Sequence, residues 1–160
     1  MSWWIGAVGL IALVALGVVA YGQAGGLRGH RPADLGLRDG RLKAPSSTRN
    51  SVSSQAWMVT GEGAQYARIE PLSFEGSGID AMVRLKGIVA ATPGAHIIEA
   101  RPDYLSVEFS TRWLRFVDDA EFVILPASQK IDLRSASRLG SEDFGVNRAR
   151  IEAIRTRFER

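Results

Sequence analysis

The 160-residue sequence predicts an α+β fold: a small antiparallel sheet built from two hairpins, packed with an amphipathic helix and a C-terminal helix, and preceded by one N-terminal transmembrane helix. Three observations carry this expectation. An uncharged apolar run fills residues 3–22, two later stretches alternate apolar and polar residues about a turn, and two others space apolar residues three and four apart. The hydrophobic content of 46% is ordinary for a folded chain, so the local patterns discriminate and the average does not.

The N-terminal run, SWWIGAVGLIALVALGVVAYG, is long enough to cross a bilayer, since about twenty residues at about 1.5 Å each reach about 30 Å. Trp3 and Trp4 at one end and Tyr21 at the other suit the two interfaces. A cleaved signal peptide is the alternative, with Gly22-Gln23-Ala24 as its small-x-small site. The run is longer than a usual signal core and has no Lys or Arg ahead of it, so a retained single-pass anchor in membrane lipid is expected. Arg28, His30, Arg31, Arg38, Arg41 and Lys43 follow it, which by the positive-inside rule places the domain in the cytoplasm; a periplasmic or other extracytoplasmic domain is the alternative.

Residues 23–54 are basic, rich in Gly, Pro and Ser, and without periodicity, and they read as a tether. Their cations either fix topology or rest on anionic headgroups at about 1 kcal/mol each. The folded domain is expected over residues 55–160. After an extended segment at residues 67–70, GSGIDAMVRLKGIVAAT places Ile79, Met82, Val83, Leu85, Ile88 and Val89 on one helical stripe, starting near Ser77 or Gly78.

Next, AHIIEARPDYLSVEFST folds about Pro102-Asp103, with Ile98 facing Val107 and Ala100 facing Leu105. A second hairpin turns at residues 126–129; pairing Leu125 with Lys130 sets Phe122 against Leu133, Ile124 against Ile131, and Glu121 against Arg134. The last pair reads as a partly exposed cross-strand ion pair, with Asp119 and Arg138 near it. The tail, DFGVNRARIEAIRTRFER, is expected to be a helix burying Ile151, Ile154 and Phe158 and exposing Arg148, Glu152, Arg155 and Glu159.

The candidate site gathers at the strand ends and the last helix: Arg112, Asp118, Arg138, Asp143, Asn147 and Arg148. Asp118 shares the core-facing side with Ala120, Phe122, Ser135 and Ser137, where a carboxylate needs hydrogen bonds or a cation to stay ionised. Arg112, Arg115 or Arg148 is the expected partner. The group is either a structural network joining strands to helix or an anion- or partner-binding site, with Arg138 and Arg148 flanking a helix N-terminus that Ser141, Asp143 or Asn147 caps.

The stretches NSVSSQA (residues 50–56), IEPLSF (69–74), FVDDAEF (116–122) and RSASRLGSEDFGVNRARIEAIR (134–155) together resemble the domain of unknown function 1499 family, over residues 45–160. The resemblance implies a domain boundary and a fold, and no reaction. Similar chains typically carry cysteine where Ser51 stands, so thiol chemistry is not required here. Family members also occur with varied membrane attachments, some in thylakoid or extracytoplasmic settings.

Catalytic patterns fare poorly. His30 and His96 have no helical partner for zinc, there is no cysteine, and Gly61-Glu62-Gly63 and Gly76-Ser77-Gly78 lack the remainder of a phosphate loop, so neither a metal nor a cofactor is expected. Asp118 and Asp119 point to opposite faces of a strand and cannot flank one substrate. The sequence pI is 9.7, but the net charge is only +3 and acids intersperse the arginines, which speaks against nucleic acid. A non-catalytic binding or accessory module is therefore expected, for a membrane-protein partner, a lipid headgroup or another anion near the bilayer. A membrane-associated enzyme using Asp118 with Arg112, Arg138 or Arg148 is the alternative.

Overall fold

The computed structural model describes residues 2–125 and 128–160, and its frame is the antiparallel ladder that the two hairpins make together. β3 (Ala95–Ala100), β4 (Tyr104–Ser110), β5 (Val117–Leu125) and β6 (Lys130–Ser137) lie side by side, and β6 also pairs with two short strands, β1 (Ser51–Ser53) and β2 (Leu72–Ser73). The sheet therefore has six strands, in the order β1-β6-β5-β4-β3 with β2 beside β1 on β6. β1 and β2 are too short to show alternation in the sequence, and their partners fix them: Val52 lies opposite Ser135, and Leu72 opposite Ile131.

The second hairpin has the expected register throughout, with Phe122 opposite Leu133, Ile124 opposite Ile131 and Glu121 opposite Arg134. Residues 126 and 127 of its turn lie outside the described residues. In the first hairpin Ala100 faces Leu105 as expected, but Val107 faces Ile97 in place of Ile98. A bulge between Ile97 and Glu99 adds one residue to β3, which simple alternation does not reveal.

One face of the sheet, carrying Leu105, Val107, Phe109, Phe122, Ile131 and Leu133, is covered by α3 (Gly78–Ala90) and α4 (Val146–Phe158). Ser77 caps α3, its hydroxyl accepting from the Asp80 N–H at 3.4 Å. Ala81, Met82, Leu85 and Val89 face the sheet, whereas Ile79 and Val83 are 61% and 66% exposed. The expected stripe was wider than the sheet could cover: these two lie on an adjacent helical face, beside the Pro102 turn. Ile151, Ile154 and Phe158 of α4 are buried as expected. Arg155 is not free, however: it donates to the carbonyls of Pro71 at 2.8 Å and Glu70 at 2.6 Å.

The opposite face is where the sequence reading needs correction. Residues 24–50 do not form a free tether; they cross the sheet as a strap. Arg31 reaches Ser106 Oγ at 3.0 Å, the Gly36 N–H donates to Glu121 Oε1 at 2.6 Å, and the Leu42 N–H donates to Gln55 Oε1 at 3.1 Å. Leu42 is buried with Tyr104 and Val123, and Leu37 packs against them. Asp39 and Gly40, both at positive φ, close a tight turn in which Arg38 and Arg41 exchange backbone hydrogen bonds of 2.9 and 3.0 Å. Residues 67–70, expected to be extended, begin inside a short helix, α2 (Glu62–Ala67), and only Arg68 bridges to Ser53.

α1 (Ser2–Gln23) is long and apolar enough to cross a membrane. Its last turn meets the loop between β4 and β5. Gln23 Nε2 donates to the carbonyls of Arg112 at 3.1 Å and Trp113 at 2.7 Å, and Gly22 lies so close to Leu114 that a Cβ there would sit 2.5 Å from the Leu114 oxygen.

Candidate functional site

α4 begins against the ends of β5 and β6, and a polar network fills that junction. Asp143, just before the helix, accepts from the Gly145 N–H at 2.9 Å and the Asn147 N–H at 3.1 Å, so its carboxylate satisfies helix-start donors that have no partner within the helix. It also accepts from Asn147 Nδ2 at 2.8 Å and from the Tyr66 hydroxyl. Burial opposes ionisation of Asp143, but these donors outweigh it and hold the carboxyl below its ordinary value. Burial, and then the Asp143 carboxylate, push the Tyr66 hydroxyl up.

Asn147 extends the network to the sheet, bonding Ser135 and donating to Ser137 Oγ at 3.1 Å. One turn later, Arg150 donates to Asn147 Oδ1 at 2.9 Å and to Asp118 Oδ2 at 2.6 Å, with its guanidinium 4.6 Å from the Phe109 ring centre. Asp118, Asp143 and Asn147 thus come together as a belt joining β5, β6 and α4.

The other three expected residues lie elsewhere. The partner of Asp118 is Arg150, and neither Arg112, Arg115 nor Arg148, because three residues after Asn147 on a helix is the same face. Arg148 turns away and donates to the carbonyls of Tyr66 and Arg68. Arg138 lies on the strap side of the sheet, where it grips Asp119 at 2.6 and 2.8 Å and also reaches Glu108. Those two carboxylates hold its guanidinium above its ordinary value despite burial. Arg112 is exposed on the β4–β5 loop, 5.0 Å from the Trp113 ring centre. At the start of α4 the N–H groups of Gly145 and Asn147 are taken by the Asp143 carboxylate.

The Glu121–Arg134 pair is also not the expected surface contact. Both side chains are buried beneath the strap, and Arg134 Nη1 stands 3.9 Å from Glu121 Oε2, too far for a hydrogen bond. Glu121 instead accepts from the Tyr104 hydroxyl at 2.7 Å and from the Gly36 N–H. Burial pulls the Arg134 guanidinium down, partly countered by Glu121 and Asp119.

Two depressions adjoin these groups. The larger, about 620 Å³, is an open polar groove beside Arg68, Lys130 and Arg148, and Arg148 and Arg155 are already committed there to backbone carbonyls. The smaller, about 310 Å³, lies between the β4–β5 loop and the loop leading into α4, with Phe116, Val117, Leu139, Phe144 and Val146 in its wall. Among the described residues, no group of three or more His, Asp or Glu side chains is placed to hold a metal ion.

The family pattern described as "Protein of unknown function (DUF1499)" matches residues 41–158. The chain belongs to the DUF1499 family. No curated protein and no solved structure matches it. The DUF1499 span holds the whole Asp118–Arg150–Asn147–Asp143–Tyr66 belt, and it starts at Arg41, so it takes in the later part of the strap, Leu42 included, and leaves out α1. Ser51 is fully buried in this DUF1499 domain, and its hydroxyl accepts from the Ser46 N–H at 3.0 Å.

Sequence reasoning missed Arg150, Tyr66 and the strap. A signal existed for Arg150, which shares a helical face with Asn147, and for the strap, where Asp39-Gly40 is a turn dipeptide between Leu37 and Leu42. Tyr66 gave none, being 77 residues from Asp143.

Proposed function

We propose that this DUF1499 protein is a single-pass membrane protein whose domain is a non-catalytic binding module, seated with its β4–β5 loop and its β6–α4 loop against the bilayer. The observation that carries this reading is the contact of α1 with the β4–β5 loop through Gln23 and Gly22. If α1 spans the membrane, that contact holds residues 111–116 at the headgroup level. Their composition suits the position: Trp113 is 63% exposed beside Arg112 and Arg115, and an aromatic ring among cations fits an interface with anionic lipid.

Support for a non-catalytic role comes from how the charged candidates are used. Asp118 is paired with Arg150, Arg138 with Asp119 and Glu108, and Asp143 with the start of α4, so each serves the fold. By the charge of the flank after α1, the domain belongs on the cytoplasmic side; a C-terminal reporter active only outside the cytoplasm would overturn that orientation.

The seating is tested on full-length protein in phosphatidylcholine–phosphatidylglycerol vesicles, with Trp3, Trp4 and Trp57 changed to Phe so that Trp113 is the one tryptophan left, excited selectively over the tyrosines. Lipids brominated near the carbonyl end of their chains are expected to quench it. Emission unaffected by brominated lipid would overturn the seating.

A further inference from the structure

We infer that the pocket between the β4–β5 and β6–α4 loops receives one acyl chain of a bilayer lipid; this inference rests on the seating proposed above. The pocket's volume of about 310 Å³ falls at the small end of ligand sites, which suits part of one chain and is too small for a whole two-chain lipid. Its chemistry excludes the other end of the molecule. None of the residues lining it is basic, and three carboxylates border it, so a phosphate would meet negative charge there.

Those carboxylates are all engaged. Asp118 is held by Arg150, Glu142 by Arg49 at 3.0 Å, and Asp143 by Tyr66 and Asn147. What remains open is apolar wall, with Phe144 at its rim 90% exposed and Leu139 and Val146 partly so. Such a surface gains by leaving water, and hydrocarbon is the solvent within reach. Phe116 is two residues from Leu114, which packs on Gly22 of α1, and Leu139 lies against Gly29, so the mouth sits on the side where α1 leaves the domain.

The test uses the full-length protein in phosphatidylcholine–phosphatidylglycerol vesicles carrying a trace of phosphatidylcholine with a diazirine at the end of one acyl chain. After illumination, adducts are expected on peptides containing Val117, Leu139 and Val146 as well as on α1. Val146→Phe, which narrows the pocket, should abolish the domain adducts and leave those on α1. Leu139→Phe serves the same purpose if the first variant loses its circular-dichroism signature. Adducts confined to α1 in the unaltered chain, or domain adducts that persist in the filled variants, would overturn the inference. The bromine-quenching measurement on the chain whose one tryptophan is Trp113 separates the two readings: quenching there with adducts on α1 alone in the diazirine vesicles removes only the acyl-chain site, whereas no quenching removes the seating and the acyl-chain site with it.

Discussion

Arg150 Nη2 lies 2.6 Å from Asp118 Oδ2, and this contact ties the second turn of α4 to the first residues of β5. Both groups are largely shielded from water, and Arg150 also covers the Phe109 ring. Asp118→Ala should therefore cost about 3–5 kcal/mol, because it leaves a buried guanidinium without its counter-charge. Thermal unfolding of the detergent-solubilised chain measures this. Arg150→Ala in the Asp118→Ala background should add less than it costs alone; simple additivity would show that the pair is not coupled.

Arg134 and Glu121 should behave alike for the same reason. As a surface pair they would be worth about 0–1 kcal/mol, but under the strap Arg134→Ala leaves a buried carboxylate with only neutral donors, and a loss of about 3–5 kcal/mol is expected. Combining Arg134→Met with Glu121→Gln should recover much of that stability. A loss below about 1 kcal/mol for Arg134→Ala would mean that the strap does not exclude water from the pair.

The contrast between these pairs shows what the sequence could reveal. Strand register was readable because Phe122, Ile124, Ile131 and Leu133 must share the core face, and that constraint also placed Glu121 opposite Arg134. It could not say what covers the other face. Leu37 and Leu42 are too few and too irregularly spaced for a periodicity, so the strap read as linker and the pair as exposed. Asp118 was recognised as needing a cation, but choosing Arg150 requires the helix to be laid on the sheet first.

Acid should weaken the fold partly through Asp143. Its folded-state value is depressed, so its contribution is fully present above the unfolded carboxyl value of about 3.9 and is lost as pH falls through the lower folded value. Asp143→Asn should lower stability at neutral pH by about 2–3 kcal/mol and make the loss between pH 5 and 2 shallower, as read from urea unfolding at each pH. An unchanged acid limb would rule Asp143 out as a contributor.

The strap can be tested through Leu42, buried against Tyr104 and Val123. Leu42→Ala should cost about 2–5 kcal/mol and make residues 28–43 more readily cut by trypsin before global unfolding. A free linker would show neither effect.

Seating on the bilayer is tested most directly by position, and a chain without cysteine permits single-cysteine spin labels at will. In full-length protein reconstituted in vesicles, a label at Phe144→Cys should be more accessible to oxygen than to a water-soluble nickel reagent. A label at Asp103→Cys, in the turn at the far end of the first hairpin, should show the reverse. Equal preference for the aqueous reagent at both positions would contradict a domain that rests its β4–β5 and β6–α4 loops on the membrane.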